Sequence, residues 1–313
     1  MTAYLVRRLL SAVPVALGVA LGAFAIIRLA PGDPVVQMLG FQATDANVAQ
    51  VREQLNLTGF LPLQYVAFVG GAAHGDFGTS IIRDAPVSEI ILSRVVPSVL
   101  LIAYSISLSL LLGVPLAIVA ALRRNRAEDH LIRLGSTIGF AMPAFWIGLL
   151  LSLVFAVRLG WFPVSGYEPG FPEAIHSLTL PAVTVALFLT PLVLRLLRTS
   201  LIDVLGLEFI DALRGRGLPE RRIVIQHALR NSLLSTVTIV AVSIGYLLGG
   251  TVVVENVFQI PGLGSLLVQS ILDRDYPTVQ ALVLIFGLTV VIVNVIADVL
   301  YAVIDPRVRV GAS

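Results

Sequence analysis

Residues 203–231 read DVLGLEFIDALRGRGLPERRIVIQHALRN, a polar and arginine-rich island between two long apolar runs. Of the 313 residues in the chain, 57% are hydrophobic and only 13% are charged. A soluble protein keeps roughly a quarter of its residues charged to cover its surface. The composition therefore predicts an integral membrane protein, in which an island of this polarity lies in water and contacts something there.

Residue usage excludes several classes of protein. The chain has no cysteine, which rules out disulfides, thiolate metal sites and cysteine nucleophiles. All 21 basic residues are arginines, so the lysine of a GxxxxGK[ST] phosphate loop is missing and the chain is not by itself a conventional P-loop ATPase. The arginines cluster beside apolar runs, where charge reports membrane orientation, and we expect no nucleic-acid partner.

Six apolar runs are long enough to cross a bilayer as helices, which takes about 20 residues. Because backbone polar groups find no water in lipid, we expect an all-α fold with six transmembrane helices. The first run is interpreted as an uncleaved span, since it is longer than the apolar core of a signal peptide. The predicted spans are 9–27, 98–122, 134–157, 179–197, 233–254 and 279–303.

The distribution of arginine predicts the orientation of these spans. With a cytoplasmic N-terminus, fifteen of the 21 arginines lie on the cytoplasmic side. Cytoplasmic loops carry an excess of arginine and lysine, so we expect both termini, and the island, to be cytoplasmic.

Residues 30–97 form an insertion between the first two spans that is too long for a simple loop. A Thr44-Asp45 start predicts a helix over 46–55, and 86–96 is typical of an amphipathic helix at the membrane interface. The insertion has too few apolar residues to bury a core alone, so we expect a small extracytoplasmic helical cap. The predicted segments are 1–29 with the first span, 30–97 as the cap, and 98–313 as a core of five spans with a cytoplasmic loop at 199–232.

The punctuation of the island predicts short helices. Ser200 is placed to cap one helix, and a second covers 207–214 until Gly215 and Gly217 stop it. Pro219 then fits the first turn of a third helix. A short amphipathic helix between two spans suits a groove on a soluble partner, but the same residues suit a basic linker on anionic headgroups.

A motif inside the island favours the first interpretation. Asp211-Ala212-Leu213 is followed after three more residues by Gly217, and Leu229-Arg230-Asn231 lies further along. This order resembles the EAA loop of ABC importer permeases, in which an acidic and two small residues precede a glycine. Asp211 stands in place of the usual Glu and Leu213 in place of the second Ala, while Arg-Asn at 230–231 is similar to the dipeptide and oligopeptide branch.

Further motifs extend nearly from end to end. They are Pro31-Gly32-Asp33-Pro34, Gly75-Asp76-Phe77-Gly78, Gly160-Trp161-Phe162-Pro163, Val254-Glu255-Asn256-Val257-Phe258, Pro261-Gly262-Leu263-Gly264, Asp275-Tyr276-Pro277 and Asp305-Pro306-Arg307. Together they resemble the B-type permeases of dipeptide, oligopeptide, glutathione and nickel importers. The resemblance implies the type I ABC importer permease fold in a bacterial plasma (inner) membrane.

The same resemblance implies a transport subunit without enzyme activity. Its partners would be a homologous permease in a heterodimer, two nucleotide-binding ATPase subunits that hold ATP and Mg²⁺, and an extracytoplasmic solute-binding protein. Short peptides are the expected cargo, with glutathione, a nickel chelate or another small solute as the alternative. The implied ATPase-coupling residues are Leu207, Glu208, Phe209, Ile210, Asp211, Ala212, Leu213, Arg214, Gly215 and Gly217.

Small and polar residues in the last two spans are candidates for the pathway or for helix packing. Gly245 and Gly249 form a GxxxG with Ser243 nearby, which favours close helix contact over direct pore lining. Asp298, with Asn294 one turn before it, is costly to bury in lipid. We expect Asp298 to pair with an arginine of the island rather than to relay protons.

The third span contains Pro143, which predicts a bend there. Curvature of a packed helix is favoured over a gate, and Met142 beside it is a further candidate for the pathway. The four histidines are scattered, so we expect no metal site and no bound cofactor in this chain.

Two functions of other classes are weighed against transport powered by ATP. An ion-coupled secondary transporter would carry several ionisable groups inside its spans, and this sequence has few. A membrane scaffold would show no cargo-dependent stimulation of an ATPase.

Overall fold

The computed structural model describes the backbone of residues 2–55 and 57–304, and their side chains except those of 2–6, 233–244, 246, 248 and 300–304. The described chain is mostly helical. Its α-helices are α1 (Thr2–Leu29), α2 (Pro34–Leu39), α3 (Asp45–Gln54), α4 (Leu61–Ala73), α5 (Val87–Leu122), α6 (Ala127–Ala141), α7 (Ala144–Leu151), α8 (Glu173–Leu205), α9 (Glu208–Gly215), α10 (Glu220–Arg222), α11 (Arg230–Val257), α12 (Leu263–Leu272) and α13 (Tyr276–Ile304).

Shorter elements connect these helices. A 3-10 turn covers Gly40–Gln42, and π-helical segments follow α7 at Ser152–Arg158 and α10 at Ile223–Leu229. Strands β1 (Thr79–Ser80) and β2 (Ala85–Pro86) pair as an antiparallel hairpin before α5.

Among the described residues, four helices are long and apolar enough to cross a membrane, namely α1, α5, α8 and α13. Each contains one of the predicted spans, wholly or nearly so. The predicted span 233–254 lies within α11, where many side chains fall outside the described set. The number of six spans therefore stays a prediction.

The third predicted span, 134–157, is broken rather than continuous. α6 and α7 meet at an angle of 100° across Met142 and Pro143. Proline has no N–H and disfavours helical backbone in the residue before it. Met142 accordingly has an extended ψ of 136°. The bend predicted at Pro143 is confirmed, but the expected curvature of one helix was wrong, because two separate helices meet there.

The insertion after α1 contains helices, one of them placed differently from the prediction. α3 begins where expected, with the Thr44 hydroxyl accepting a hydrogen bond from the Asn47 N–H at 3.3 Å. The separate interfacial helix predicted over 86–96 was wrong, because α5 continues without a break for 36 residues, about 54 Å. Helical hydrogen bonds pair most backbone N–H and C=O groups of this apolar segment, and the exceptions inside it are at Pro97 and Pro115, which have no N–H.

The described chain divides into two compact units. Unit one comprises Leu100–Gln259 and the chain from Val293 onward, and unit two comprises Thr2–Val99 and Ile260–Ile292. The predicted boundaries at residues 29 and 97 separate membrane-spanning segments from the extracytoplasmic cap. They describe the position of the chain relative to the membrane and stay a prediction.

Unit one has an apolar cluster at the ends of its long helices, next to α9. The cluster brings together residues from α5, α8, α9 and the segment after α10, each almost fully buried. Its buried members are Ala117, Ala121, Leu194, Leu197, Leu201, Ile210, Ile223 and Ala228. A short helix far apart in sequence from α5 is thus held by the same core.

In unit two, the β1–β2 hairpin is tied to the segment before α13 by a buried carboxylate. Asp275 has no exposed surface, and its Oδ2 accepts hydrogen bonds from Ser80 Oγ, Thr278 Oγ1 and Arg83 Nη1, each at 2.7 Å. A carboxylate is tolerated in a protein interior when charged and polar donors satisfy it. These bonds fix a hairpin that has only two residue pairs of its own.

Candidate functional site

The candidate site is α9 and its flanks, which begin close to the predicted position. Leu207 has extended backbone at the N-cap, and the helix covers Glu208–Gly215, one residue later than the predicted 207–214. The predicted capping role of Ser200 was wrong, because that residue lies inside α8, which continues to Leu205. Leu201, the residue after Ser200, is buried in the unit-one core. Packing against this core keeps α8 helical beyond Ser200.

The end of α9 is set by Gly217. Its φ of +77° is left-handed, a conformation that a residue without Cβ adopts at little cost. The Gly217 N–H donates to Arg214 O at 2.9 Å, and the Leu218 N–H donates to Leu213 O at 3.3 Å. This bonding pattern is the Schellman motif of helix ends. Gly215, by contrast, is the last helical residue.

The apolar residues of α9 and its N-cap point in two directions. Ile210 is fully buried in the unit-one core, and Leu213 is half-buried against the same cluster. Leu207 and Phe209 instead remain 50% and 40% exposed. The remaining predicted coupling residues of the segment are all exposed, namely Glu208, Asp211, Ala212, Arg214, Gly215 and Gly217. The inward pair anchors α9 to its own chain, while the outward pair offers apolar surface to another molecule.

Arg214 links α9 to the helix that follows. Its Nη2 and Nε lie 2.9 Å and 3.3 Å from the two carboxylate oxygens of Glu220, and its Nη1 lies 3.1 Å from Asp211 Oδ1. The hydrogen bonds from Arg214 lower the pKa of Glu220, and those to Glu220 and Asp211 raise the pKa of Arg214. The cluster lies at the surface and shapes the exposed face of the segment.

A second charged cluster in unit one was missed by the sequence analysis. Asp129, in the first turn of α6, is fully buried and accepts hydrogen bonds from Arg198 Nε at 2.8 Å and Nη2 at 2.6 Å. It also accepts from the Asn125 N–H at 2.9 Å, and Arg133 Nε lies 3.5 Å away. The sequence does contain a signal for this cluster, namely an acidic residue inside a turn rich in arginine. The sequence analysis uses these arginines only to predict the orientation of the spans.

Met142 lies at the break between α6 and α7 and lines an apolar cavity of about 240 Å³ within unit one. The other residues that line it are Gly139, Trp146, Ile147, Leu150, Leu151, Val154, Phe155 and Leu187. Met142 is half-buried. The position is compatible with packing and with the pathway, so its role stays a prediction.

The other pathway candidates lie on α11 and α13. Gly245 is half-buried and Gly249 is exposed, and a Cβ at Gly249 would meet no described atom outside its own helix within 4 Å. The side chain of Ser243 is outside the described residues. Asn294 and Asp298 are half-buried one turn apart on α13. The expected pairing of Asp298 with an arginine of the island stays a prediction.

Comparison with known proteins gives consistent matches over nearly the whole chain. Residues 113–310 match the family described as binding-protein-dependent transport system inner membrane component, and residues 1–103 match the N-terminal region of such membrane components. The oligopeptide transport system permease protein AppB of Bacillus subtilis is 40% identical, with 99% of this chain and 100% of the relative covered.

The glutathione transport system permease protein GsiC of Salmonella paratyphi A is also 40% identical, with 98% of each chain covered. Among solved structures, a chain of the MetNI methionine ABC transporter in inward-facing conformations gives a TM-score of 0.59 at 16% identity. That match covers 69% of this chain and 96% of the other, and it shows a shared fold.

The predicted resemblance and the type I ABC permease fold are thereby confirmed. The family match alone covers well over half of the residues, and the relatives align over nearly their full length. The chain belongs to the binding-protein-dependent transport system inner membrane components and is a permease subunit of an ABC transporter.

Proposed function

We propose that this permease imports short peptides across the bacterial inner membrane, and that α9 transmits the motion of an ATPase subunit to the membrane helices. The names of the relatives support a peptide cargo, since one is an oligopeptide permease and another a glutathione permease at the same identity. Glutathione is itself a short peptide, so it is the second candidate. The coupling residues are those of Leu207 to Arg214 with Gly215 and Gly217.

One observation carries the proposed role of α9, namely that one of its faces is packed in the core of its own chain while the other is exposed and partly apolar. Ile210 is fixed in a core shared with α5, α8 and the segment after α10. Leu207 and Phe209 are exposed apolar residues beside the charges of Glu208 and Asp211. Apolar anchors among charged residues suit a groove on a protein partner. A displacement of α9 would therefore move the ends of the long helices with it, as a rigid-body transition requires.

The assembly and orientation are part of the same proposal. The chain would pair with a homologous permease, receive cargo from an extracytoplasmic binding protein, and contact two ATPase subunits that hold ATP and Mg²⁺. Both termini and α9 would lie in the cytoplasm, in keeping with the arginine distribution. ATP-driven closure of the ATPase dimer would then shift the permease between inward-facing and outward-facing populations.

The role of α9 is tested with Phe209→Asp in the complete reconstituted complex. A buried charge in the interface should abolish co-purification of the ATPase subunits, together with cargo-stimulated ATP hydrolysis and uptake. Phe41→Asp is the matched control, because Phe41 is an exposed phenylalanine of the insertion after α1, outside the helices that are long enough to cross a membrane and outside α9. The control should retain all three activities. Retention of complex and uptake after joint replacement of Asp211, Ala212, Leu213 and Gly217 would overturn the proposal.

The energy source and cargo are tested in proteoliposomes. Uptake of a labelled dipeptide, a longer peptide and glutathione is compared with and without ATP, in the presence of the binding protein. We expect uptake only with ATP. Uptake by the isolated chain under an ion gradient would instead support a secondary transporter, and ATPase activity that no cargo stimulates would support a scaffold.

A further inference from the structure

Two helices of the insertion differ in the chemistry of their exposed faces. α3 exposes mostly polar residues, including Asn47, Gln50 and Glu53. α4 has the sequence LPLQYVAFVGGAA, without any charged residue. Its exposed stripe at helical spacing consists of Leu63, Val66, Ala67, Gly70 and Ala73, all apolar. A surface helix in water carries polar residues on its outer face, so α3 has the pattern of a solvated helix and α4 does not.

The position of α4 beside α1 explains this difference. The apolar span of α1 covers Arg7–Leu29, 23 residues, and Leu17 lies at its middle. The Tyr65 hydroxyl donates a hydrogen bond to the Leu17 carbonyl oxygen at 2.8 Å. Leu17 is twelve residues before Leu29, so this oxygen lies roughly 15–18 Å from that end of the helix. A residue of α4 thus reaches to about half the depth of the span.

Further contacts place the inner face of α4 along the same stretch of α1. The ring of Phe24 lies 5.4 Å from that of Tyr65 and 5.9 Å from that of Phe68, between centroids. Val69 and Ala72 pack against the cluster formed by Ala20, Ala23 and Leu284. Ala20 and Ala23 are about two turns from the Leu29 end of α1. The contacts of α4 therefore lie at membrane depth.

The charged end of α1 also contacts α4, through Gln64. Arg28 donates to Phe24 O at 2.9 Å and to Gln64 Oε1, and its guanidinium carbon lies 3.4 Å above the Phe24 ring. Gln64 is the one buried residue of α4 and is only 8% exposed. In lipid, a polar side chain on a helix is tolerated when it faces another helix and finds partners there.

We propose that α4 is embedded in the half of the bilayer where α1 ends at Leu29, with its apolar stripe in contact with lipid acyl chains. At 13 residues it is too short to cross a bilayer, and apolar helices of this length are typical of re-entrant or interfacial segments. α1, which α4 packs against, is itself little covered, since only 22% of its span is buried. Part of the predicted extracytoplasmic cap is then a membrane element, and lipid is the occupant of its outer face.

The absence of cysteine from the chain allows a direct test by labelling. Leu63→Cys and Val66→Cys are compared with Asn47→Cys and Gln50→Cys, in the full complex reconstituted in lipid nanodiscs, where both faces of the bilayer are accessible. A membrane-impermeant maleimide should label the two α4 positions at least about tenfold more slowly than the α3 positions, because the hydrocarbon region excludes water. In SDS all four variants should label alike.

A second measurement identifies what covers the α4 positions. A fluorophore attached there through a permeant maleimide should be quenched by lipids brominated on their acyl chains, and the α3 fluorophores should not. Labelling of α4 and α3 within about twofold of each other would overturn the proposal in favour of an aqueous cap. Protection without quenching would overturn it in favour of a protein partner on this face.

Discussion

Two arginine–carboxylate clusters of unit one have similar geometry and different surroundings. In each, the Nε and Nη2 of an arginine donate hydrogen bonds to the two oxygens of a carboxylate. The distances are 2.8 Å and 2.6 Å from Arg198 to Asp129, and 3.3 Å and 2.9 Å from Arg214 to Glu220. The side chains of Asp129 and Arg198 are 0% and 15% exposed, whereas those of Glu220 and Arg214 are 51% and 42% exposed. Burial, rather than pairing geometry, distinguishes them.

The difference indicates separate roles for the two clusters. A buried charge that loses its partner is left without water, so its removal is costly, while an exposed pair exchanges easily with solvent. Asp129 and Arg198 therefore hold the start of α6 to α8 as a fixed frame. Arg214 and Glu220 instead leave the surface of α9 adjustable, which suits the docking on a partner that we propose for it.

The largest effect is expected from Asp129→Ala. Arg198 would keep its charge in a buried site without its carboxylate, and the free energy of unfolding should fall by about 3–5 kcal/mol. Denaturant unfolding of the detergent-solubilised chain measures this. The double variant Asp129→Ala/Arg198→Met is the control, and it should be less destabilised than the sum of the single losses. A loss below about 1 kcal/mol for Asp129→Ala would place the two clusters in the same class.

The two faces of α9 give the next test. Ile210→Ala leaves a cavity in the unit-one core and should cost about 2–5 kcal/mol of unfolding free energy. Phe209→Ala, one residue away and exposed, should change it by no more than about 0.5 kcal/mol and should instead weaken retention of the ATPase subunits. The pair is measured by unfolding and by co-purification. Equal stability losses would mean that α9 has no outward face available for docking.

Apolar pattern and punctuation predicted much of this fold from the sequence. The long helices, the Thr44 cap and the position of α9 follow from local signals, namely apolar length, a hydroxyl before a helix, and glycines after one. The prediction that Ser200 caps a helix was wrong because a serine cap stabilises the chain less than the burial of Leu201, its neighbour in α8. Tertiary packing decided where that helix ends.

The buried charges could not be derived from the sequence. Asp129 and Arg198 are 69 residues apart, and Ser80 and Asp275 are 195 apart. Such pairs form only when the chain is folded, and neither hydrophobic periodicity nor a local motif predicts them. For the same reason the sequence does not show in which direction Ile210 and Phe209 point, because the inner face of an eight-residue helix is defined only by the core against which it packs.

A smaller effect is expected from Arg214→Gln on the exposed cluster. Losing this pair should lower the free energy of unfolding by no more than about 1 kcal/mol, and less at high salt. Arg216→Gln removes the same charge two residues later, on another exposed arginine, and serves as the control. Comparison of both variants with the parent at low and high salt isolates the pair. A loss as large as that of Asp129→Ala would contradict the distinction by burial.

The smallest effect is the pH dependence of the stability that the Arg214–Glu220 pair contributes. Arg214 lowers the pKa of Glu220 in the folded chain, so the pair stabilises the fold above the unfolded pKa of glutamate, about 4.3. That contribution is lost as the pH falls through the lowered folded value. The difference in unfolding free energy between the parent and Arg214→Gln should therefore stay constant between about pH 5 and about pH 7. It should shrink below about pH 4. Unfolding curves of both proteins across this range measure it. A difference that grows on acidification would mean that Arg214 stabilises α9 by a contact other than the one with Glu220.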